Sequence, residues 1–236
     1  NTNYAKFKEC GCLVMRTEKN GYLKKHLNNS HLLQIHLEEW DSAKIKASLP
    51  IYSLDSYSPT KLRVDNNFGI SNGKRIEGGV YWPNAGYVTD PALSSQNLAD
   101  AAQKFGAEFR LGVEVIDILQ ESGKVRGVRL GDGEEIHAPV VVNVAGPGSS
   151  HINDLAGVVD EMTIKTRPLR QEVAHVPAPK GFDFERRGMI VSDSDIAIYV
   201  RPEHGNNILI GSEDPSCDEH VWTESDTNYE REFTDQ

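Results

Sequence analysis

The sequence predicts an α+β protein in which a segment of α/β character is set between two mostly antiparallel β regions. Three observations carry this. A helix with clear start and stop signals occupies residues 90–106, a Gly-punctuated meander follows it, and the run Val140–Val144 then ends in Ala-Gly-Pro-Gly. The texture divides the chain into residues 1–88, 89–157 and 158–236. The outer two read as parts of one β-rich domain.

In the first part, Cys12-Leu13-Val14-Met15 reads as a strand, and Lys44 to Leu49, before Pro50, as a short helix or turn. Asp65-Asn66-Asn67 and Ser71-Asn72-Gly73-Lys74 are turn signals. In the middle part, Asp90 can cap free amides and Pro91 suits a first helical turn. Leu98, Ala101, Ala102 and Phe105 recur at helical spacing, and Gly106 stops the helix. Ala107 to Leu111 is expected as a strand. Val113–Leu119, Val125–Leu130 and Glu135–His137, joined by Ser122-Gly123 and Gly131-Asp132-Gly133, form the meander. Val140–Val144 is apolar enough for a strand buried on both faces. In the last part, Ile196–Val200 and Asn207–Ile210 flank a turn as a hairpin, and the acidic tail after Asp214 has few apolar anchors.

The chain has 236 residues and a formal net charge of −10, which argues against a nucleic-acid partner. No apolar run approaches the roughly 20 residues of a membrane helix, and no signal peptide is visible. Opening at Asn1 is expected of a piece of a longer protein. An odd set of cysteines (Cys10, Cys12 and Cys217) fits a reducing compartment, so a cytoplasmic location is expected. Cys10 and Cys12 lack the spacing and the second ligand pair of a zinc site. Their period of two suits packing on one strand face. His26, His31 and His36 recur every five residues, which turns them away from one helix face, so no metal site is expected there.

A buried strand ending in Ala145-Gly146-Pro147-Gly148 lets a ligand approach main-chain amides, although glycine there also serves a tight turn. Beyond single motifs, the order of segments resembles a known family. Those segments are Gly78-Gly79-Val80-Tyr81-Trp82-Pro83, Gly86-Tyr87-Val88-Thr89-Asp90-Pro91, the helix ending Phe105-Gly106-Ala107, Val113-Glu114-Val115, Lys124 to Val128, and Ala138 to Gly146. Arg167-Pro168-Leu169-Arg170-Gln171, Tyr199-Val200-Arg201-Pro202 and Leu209-Ile210-Gly211 continue the series. Together they resemble the interior of an FAD-dependent oxidoreductase of the D-amino-acid oxidase, glycine oxidase and sarcosine oxidase superfamily.

The resemblance implies part of an FAD-binding domain at 89–157, interleaved with a mostly antiparallel substrate domain at 1–88 and 158–236. It implies FAD as cofactor, with Val115, Ala145, Gly146 and Pro147 near the dinucleotide. It implies an amine or amino acid as small-molecule substrate, oxidised at its C–N bond, and leaves the oligomeric state open. Tyr199 and Arg201 are the substrate candidates, as a hydrogen-bond donor and a bidentate carboxylate partner. The alternative for each is structural, packing under the sheet for Tyr199 and an ion pair for Arg201. Trp82 and Tyr87 are read as core or junction aromatics. The sequence departs from the family in lacking a strand–Gly-x-Gly-x-x-Gly–helix, a Glu-ended second strand and the C-terminal closing segment, and in carrying Gly148 where many relatives have a large aromatic. These departures predict weak FAD binding by the chain alone. A dehydrogenase of a hydroxy acid or polyol phosphate is the alternative within the same scaffold, and a non-catalytic binding domain is the alternative outside it.

Overall fold

The computed structural model describes residues 4–223, so part of the acidic tail expected after Asp214, residues 224–236, lies outside the described residues. The chain forms two compact units. Among the described residues, one draws on 4–100 and 171–219, the other on 101–170 and 220–223, and the chain passes between them within one helix.

The first unit contains β1 (Phe7–Glu9), β2 (Cys12–Met15), α1 (Gly21–Leu32), β3 (Glu38–Asp41), α2 (Ser42–Ser48), β4 (Gly78–Trp82), β5 (Gly86–Val88) and the start of α3 (Pro91–Gln103). The second contains the end of α3, then β6 (Val115–Glu121), β7 (Lys124–Leu130), β8 (Glu135–His137) and α4 (Ser149–Leu155). The chain then returns to the first unit with β9 (Val173–Pro177), α5 (Phe184–Arg187), β10 (Ile190–Asp193), β11 (Ile198–Glu203) and β12 (Asn207–Ser212).

Seven strands of the first unit make one sheet in the order β3-β4-β2-β10-β11-β12-β9, antiparallel except where β10 runs parallel to β2. Its register aligns Leu13 with Val191, Val191 with Val200, and Val200 with Ile210. Partners directly opposite share a face, so these side chains build one apolar layer. Ile45 from α2 and Leu49 at its C-terminal cap, with Phe182, Phe184 and Met189, close over it. Helix α2 starts where the Asp41 carboxylate accepts the Lys44 amide at 2.7 Å, and the chain leaves it before Pro50. The β11–β12 hairpin turns through Gly205 and Asn206, both at positive φ, a conformation that asparagine tolerates. The Asn206 side chain also accepts the Phe184 amide at 2.7 Å, tying α5 to the turn.

In the second unit, β6, β7 and β8 form the expected antiparallel meander. Ser122 and Gly123 both have positive φ, the signature of a tight hairpin whose twist matches its strands. Helix α4 packs on β6, and Gln120 Nε2 donates to the Ala156 carbonyl at 2.7 Å.

Three local expectations need correction. Residues 107–111 form no strand. Leu98 and Phe105 of the helical series are exposed, and α3 has no buried residue. The Val140–Val144 run is neither strand nor buried, with Val140, Val142 and Val144 exposed at 70%, 74% and 85%. A strand exists only where a neighbouring edge takes its amides and carbonyls. No described strand pairs with this run. The hairpin also sits slightly later than expected, with Pro202 inside β11 opposite Ile208. Helix α1 carried no recognised start signal, and the structure shows why, since its Asn20 cap makes no side-chain capping bond.

Candidate functional site

The sheet of the first unit has a second face, opposite its apolar layer. Strand alternation puts Cys12, Val14, Ser192, Tyr199, Arg201, Glu203, Leu209 and Gly211 there. Tyr199 and Arg201 therefore stand on the same face, two residues apart on β11. Tyr199 lies opposite Gly211, and a Cβ placed on Gly211 would come within 2.2 Å of the Tyr199 ring. Glycine at that point is thus what lets the ring lie flat across β12. The Tyr199 ring is half-buried, and its other cross-strand neighbour is Ser192, whose hydroxyl donates to Glu213 Oε1 at 2.6 Å.

Arg201 is already engaged. Its Nη1 lies 2.8 Å from Glu203 Oε2 and donates to the Pro202 carbonyl at 3.0 Å. The guanidinium carbon sits 4.5 Å from the centroid of Tyr87, a cation–π stack. Burial opposes ionisation of Glu203, but the His204 amide and the Arg201 charge together hold it below the usual carboxylate range. Lys8 reaches towards the Tyr87 ring at 5.9 Å and donates to the Glu185 carbonyl at 2.9 Å. The Cys10 thiol is pushed up by burial, which outweighs the Ile190 backbone contact and the charges of Lys8 and Arg201. Cys12 is pushed up to about 11, again mainly by burial. Both are free thiols.

Sequence reasoning singled out Tyr199 and Arg201 but missed Glu203, Ser192 and Glu213. Glu203 was findable, because it continues the alternation of Tyr199 and Arg201 by two residues. Ser192 and Glu213 become neighbours only through strand pairing. Tyr87 serves as the platform beneath Arg201, whereas Trp82 donates its Nε1 proton to Ser30 Oγ at 3.0 Å and anchors α1.

The cofactor candidates belong to the second unit. Val115 opens β6 and is half-buried. Ala145, Gly146 and Pro147 are exposed and lead through a single 3-10 turn, Gly146–Gly148, into α4. Gly146 has φ +58, and a Cβ there would meet nothing within 4 Å. Bare backbone with open space beside it fits a flat ring or a sugar brought against this turn. The fit is to one wall only, because Val140, Val142 and Val144 beside it are uncovered.

Comparison with known proteins places this geometry. The family described as FAD dependent oxidoreductase (DAO) matches residues 2–235. Glycerol-3-phosphate dehydrogenase of Mycobacterium leprae (strain TN) is 27% identical over 151 residues, covering 62% of this chain and 24% of that protein. Among solved structures, L-proline dehydrogenase from P. horikoshii aligns with a TM-score of 0.63 at 19% identity, over 90% of this chain and 52% of its own. Glycine oxidase from Bacillus cereus ATCC 14579 aligns with a TM-score of 0.61 at 20% identity, over 89% and 50%. At such identities the structural matches speak to the fold. The chain spans about half the length of these solved proteins and about a quarter of the curated relative. The match over nearly the whole chain, with the shared mixed α and β fold, makes this chain a member of the FAD-dependent oxidoreductase (DAO) family.

Proposed function

We propose that the protein to which this chain belongs oxidises the C–N bond of an amine or amino acid. In this reading the seven-stranded sheet and its attachments form the substrate domain, from residues 1–88 and 158–236, and residues 89–157 are part of the FAD-binding domain. The separate unit built around the meander supports that division. Val115, Ala145, Gly146 and Pro147 hold one edge of FAD, which when bound accepts the hydride leaving the substrate carbon. The resulting imine is hydrolysed by water to a carbonyl compound and an amine or ammonia.

The observation that carries the substrate class is the chemistry of the sheet face around Tyr199. Its hydroxyl has no hydrogen-bond partner among the described residues, so it is free to donate to a substrate carboxylate. Arg201 on this face is committed to Glu203. A phosphate dianion calls for uncommitted positive charge, whereas a zwitterion or neutral amine asks for less. Arg201 serves as a carboxylate partner only if Glu203 yields it, so Tyr199 carries more of the orienting role and Arg201 fixes the strand to Tyr87.

The second reading, a dehydrogenase of a hydroxy acid or polyol phosphate, is favoured by the glycerol-3-phosphate dehydrogenase relative. Anaerobic flavin bleaching of the full-length protein separates the two. Reduction by amines or amino acids is expected, and reduction only by hydroxy acids or glycerol 3-phosphate sinks the first reading. A full-length protein that purifies without flavin and takes none up supports a binding role instead.

A further inference from the structure

Between Glu18 and Glu38 the chain has no acidic residue, while Lys19, Lys24 and Lys25 give it three positive charges. This is unusual in a chain whose formal net charge is −10. The stretch folds as α1 and the turn beyond it. Leu23 and Ser30 are buried, and the bond from Trp82 Nε1 to Ser30 Oγ fixes which side of the helix faces the unit. Tyr22, Lys25, Asn29 and Leu32 then fall on the outward stripe, at the spacing that stacks side chains on one helix face. Tyr22 is 78% exposed, Leu32 80% and Leu33 67%, with Ile35 exposed just beyond. Lys19, Lys24 and Lys25 are exposed and have no carboxylate partner among the described residues. Nearby cations behave differently, since Lys44 holds Glu38 at 2.7 Å and Lys74 holds Glu18 at 2.6 Å.

Single exposed apolar residues are ordinary. Leu32, Leu33 and Ile35 together at one end of α1, about 15 Å along the helix from exposed Tyr22 and the unpaired lysines, in an acidic protein, are not. We propose that this face docks on an anionic lipid surface. Tyr22, Leu32, Leu33 and Ile35 enter the interface, and the three lysines lie against the headgroups with their stems along the apolar boundary. Charge complementarity calls for an anionic surface, and repulsion of the acidic remainder of the chain leaves the α1 face as the one that docks. Lysines and exposed apolar side chains on one short helix are the composition of an element that lies among lipid headgroups. Docking is peripheral, because α1 has 12 residues and no helix among the described residues is long and apolar enough to cross a membrane. The inference does not depend on the flavin reading.

Co-sedimentation of the 236-residue chain with vesicles tests it. Binding is expected to mixed phosphatidylcholine–phosphatidylserine vesicles, weakening with added salt, and not to pure phosphatidylcholine. Lys24→Gln with Lys25→Gln should lower the partition coefficient roughly thirtyfold, about fivefold for each lysine lost near an anionic surface. Leu32→Ser with Leu33→Ser should also reduce binding, while Val142→Ser with Val144→Ser should leave it unchanged. Circular dichroism of each variant separates lost docking from lost fold. Equal binding to neutral vesicles, no binding to anionic ones, or undiminished binding by the α1 variants overturns the proposal. So does capture by an immobilised acidic polypeptide without any partition into vesicles.

Discussion

The Tyr52 hydroxyl donates a 2.7 Å hydrogen bond to the carboxylate of Asp193, across 141 positions of sequence. Asp193 is only 2% exposed. The Asp195 amide donates to its other oxygen at 3.0 Å, and the Asp195 carboxylate in turn accepts the Ser56 hydroxyl at 2.7 Å and the Tyr57 amide at 2.6 Å. Two buried carboxylates, one at the end of β10 and one just beyond it, thus pin the 52–57 loop over the edge of the core. Networks of this kind hold only when every member is satisfied.

Tyr52→Phe removes one donor and leaves a buried carboxylate oxygen unsatisfied. The expected loss is about 1–3 kcal/mol, read from the midpoint of urea unfolding. A midpoint equal to that of the parent would mean that water replaces the phenol without cost.

Burial is the main cause that raises the Asp193 carboxyl above its ordinary 3.8, opposed by the bonds from Tyr52 and the Asp195 amide and reinforced by the charges of Asp195 and Glu213. The folded state therefore holds this proton more tightly than the unfolded chain. The stability this contributes is full below 3.8 and is lost as pH rises through the folded value. Asp193→Asn does not titrate. The stability of the parent minus that of the variant should fall as pH rises from 4 and then level off, measured by unfolding at a series of pH values. A difference that grows with pH would show that the ionised form is the favoured one.

Gly211→Ala places a methyl against the Tyr199 ring. Overpacking of this kind costs about 1–3 kcal/mol. Because the ring is the obstacle, Tyr199→Ala in the same chain should recover most of the loss, a coupling that a double-mutant cycle measures. Additive losses would mean that the backbone of β12, and not the ring, resists the change.

Cys12, held up near 11 by burial, should react with iodoacetamide at pH 8 on the order of a hundredfold more slowly than a free cysteine. Its rate should rise about tenfold per pH unit up to the thiol's own range. Peptide mass spectrometry after timed alkylation reads this directly, and fast labelling of Cys12 at pH 8 would contradict the burial.

Elements with a signal inside their own few residues were legible. The Asp90 carboxylate does cap the α3 amides of Ala92 and Leu93, at 2.8 and 3.1 Å. The Ser122-Gly123 turn does close β6 on β7, and Tyr199 and Arg201 do share a face. The α1 helix was not legible, because its inner face is set by a bond from Trp82, 52 positions away from Ser30. The ion pair of Arg201 was among the sequence expectations and is present with Glu203, but its stack on Tyr87, which arrives from another strand, was not legible.

The sequence by itself determined the α+β class, the capped helix α3, the meander and the ordered segments that mark the family, because caps, turns and side-chain periodicity act over a few residues. The tertiary structure decided which runs become strands and which stay bare. Val140–Val144 is as apolar as any core strand, yet it finds no described edge and stays exposed. Cys12–Met15 finds β10 in parallel and β4 antiparallel, and Leu13 and Met15 vanish from solvent. Pairing is a contest between distant segments for the same amides and carbonyls, and its outcome is fixed by the whole chain packing at once.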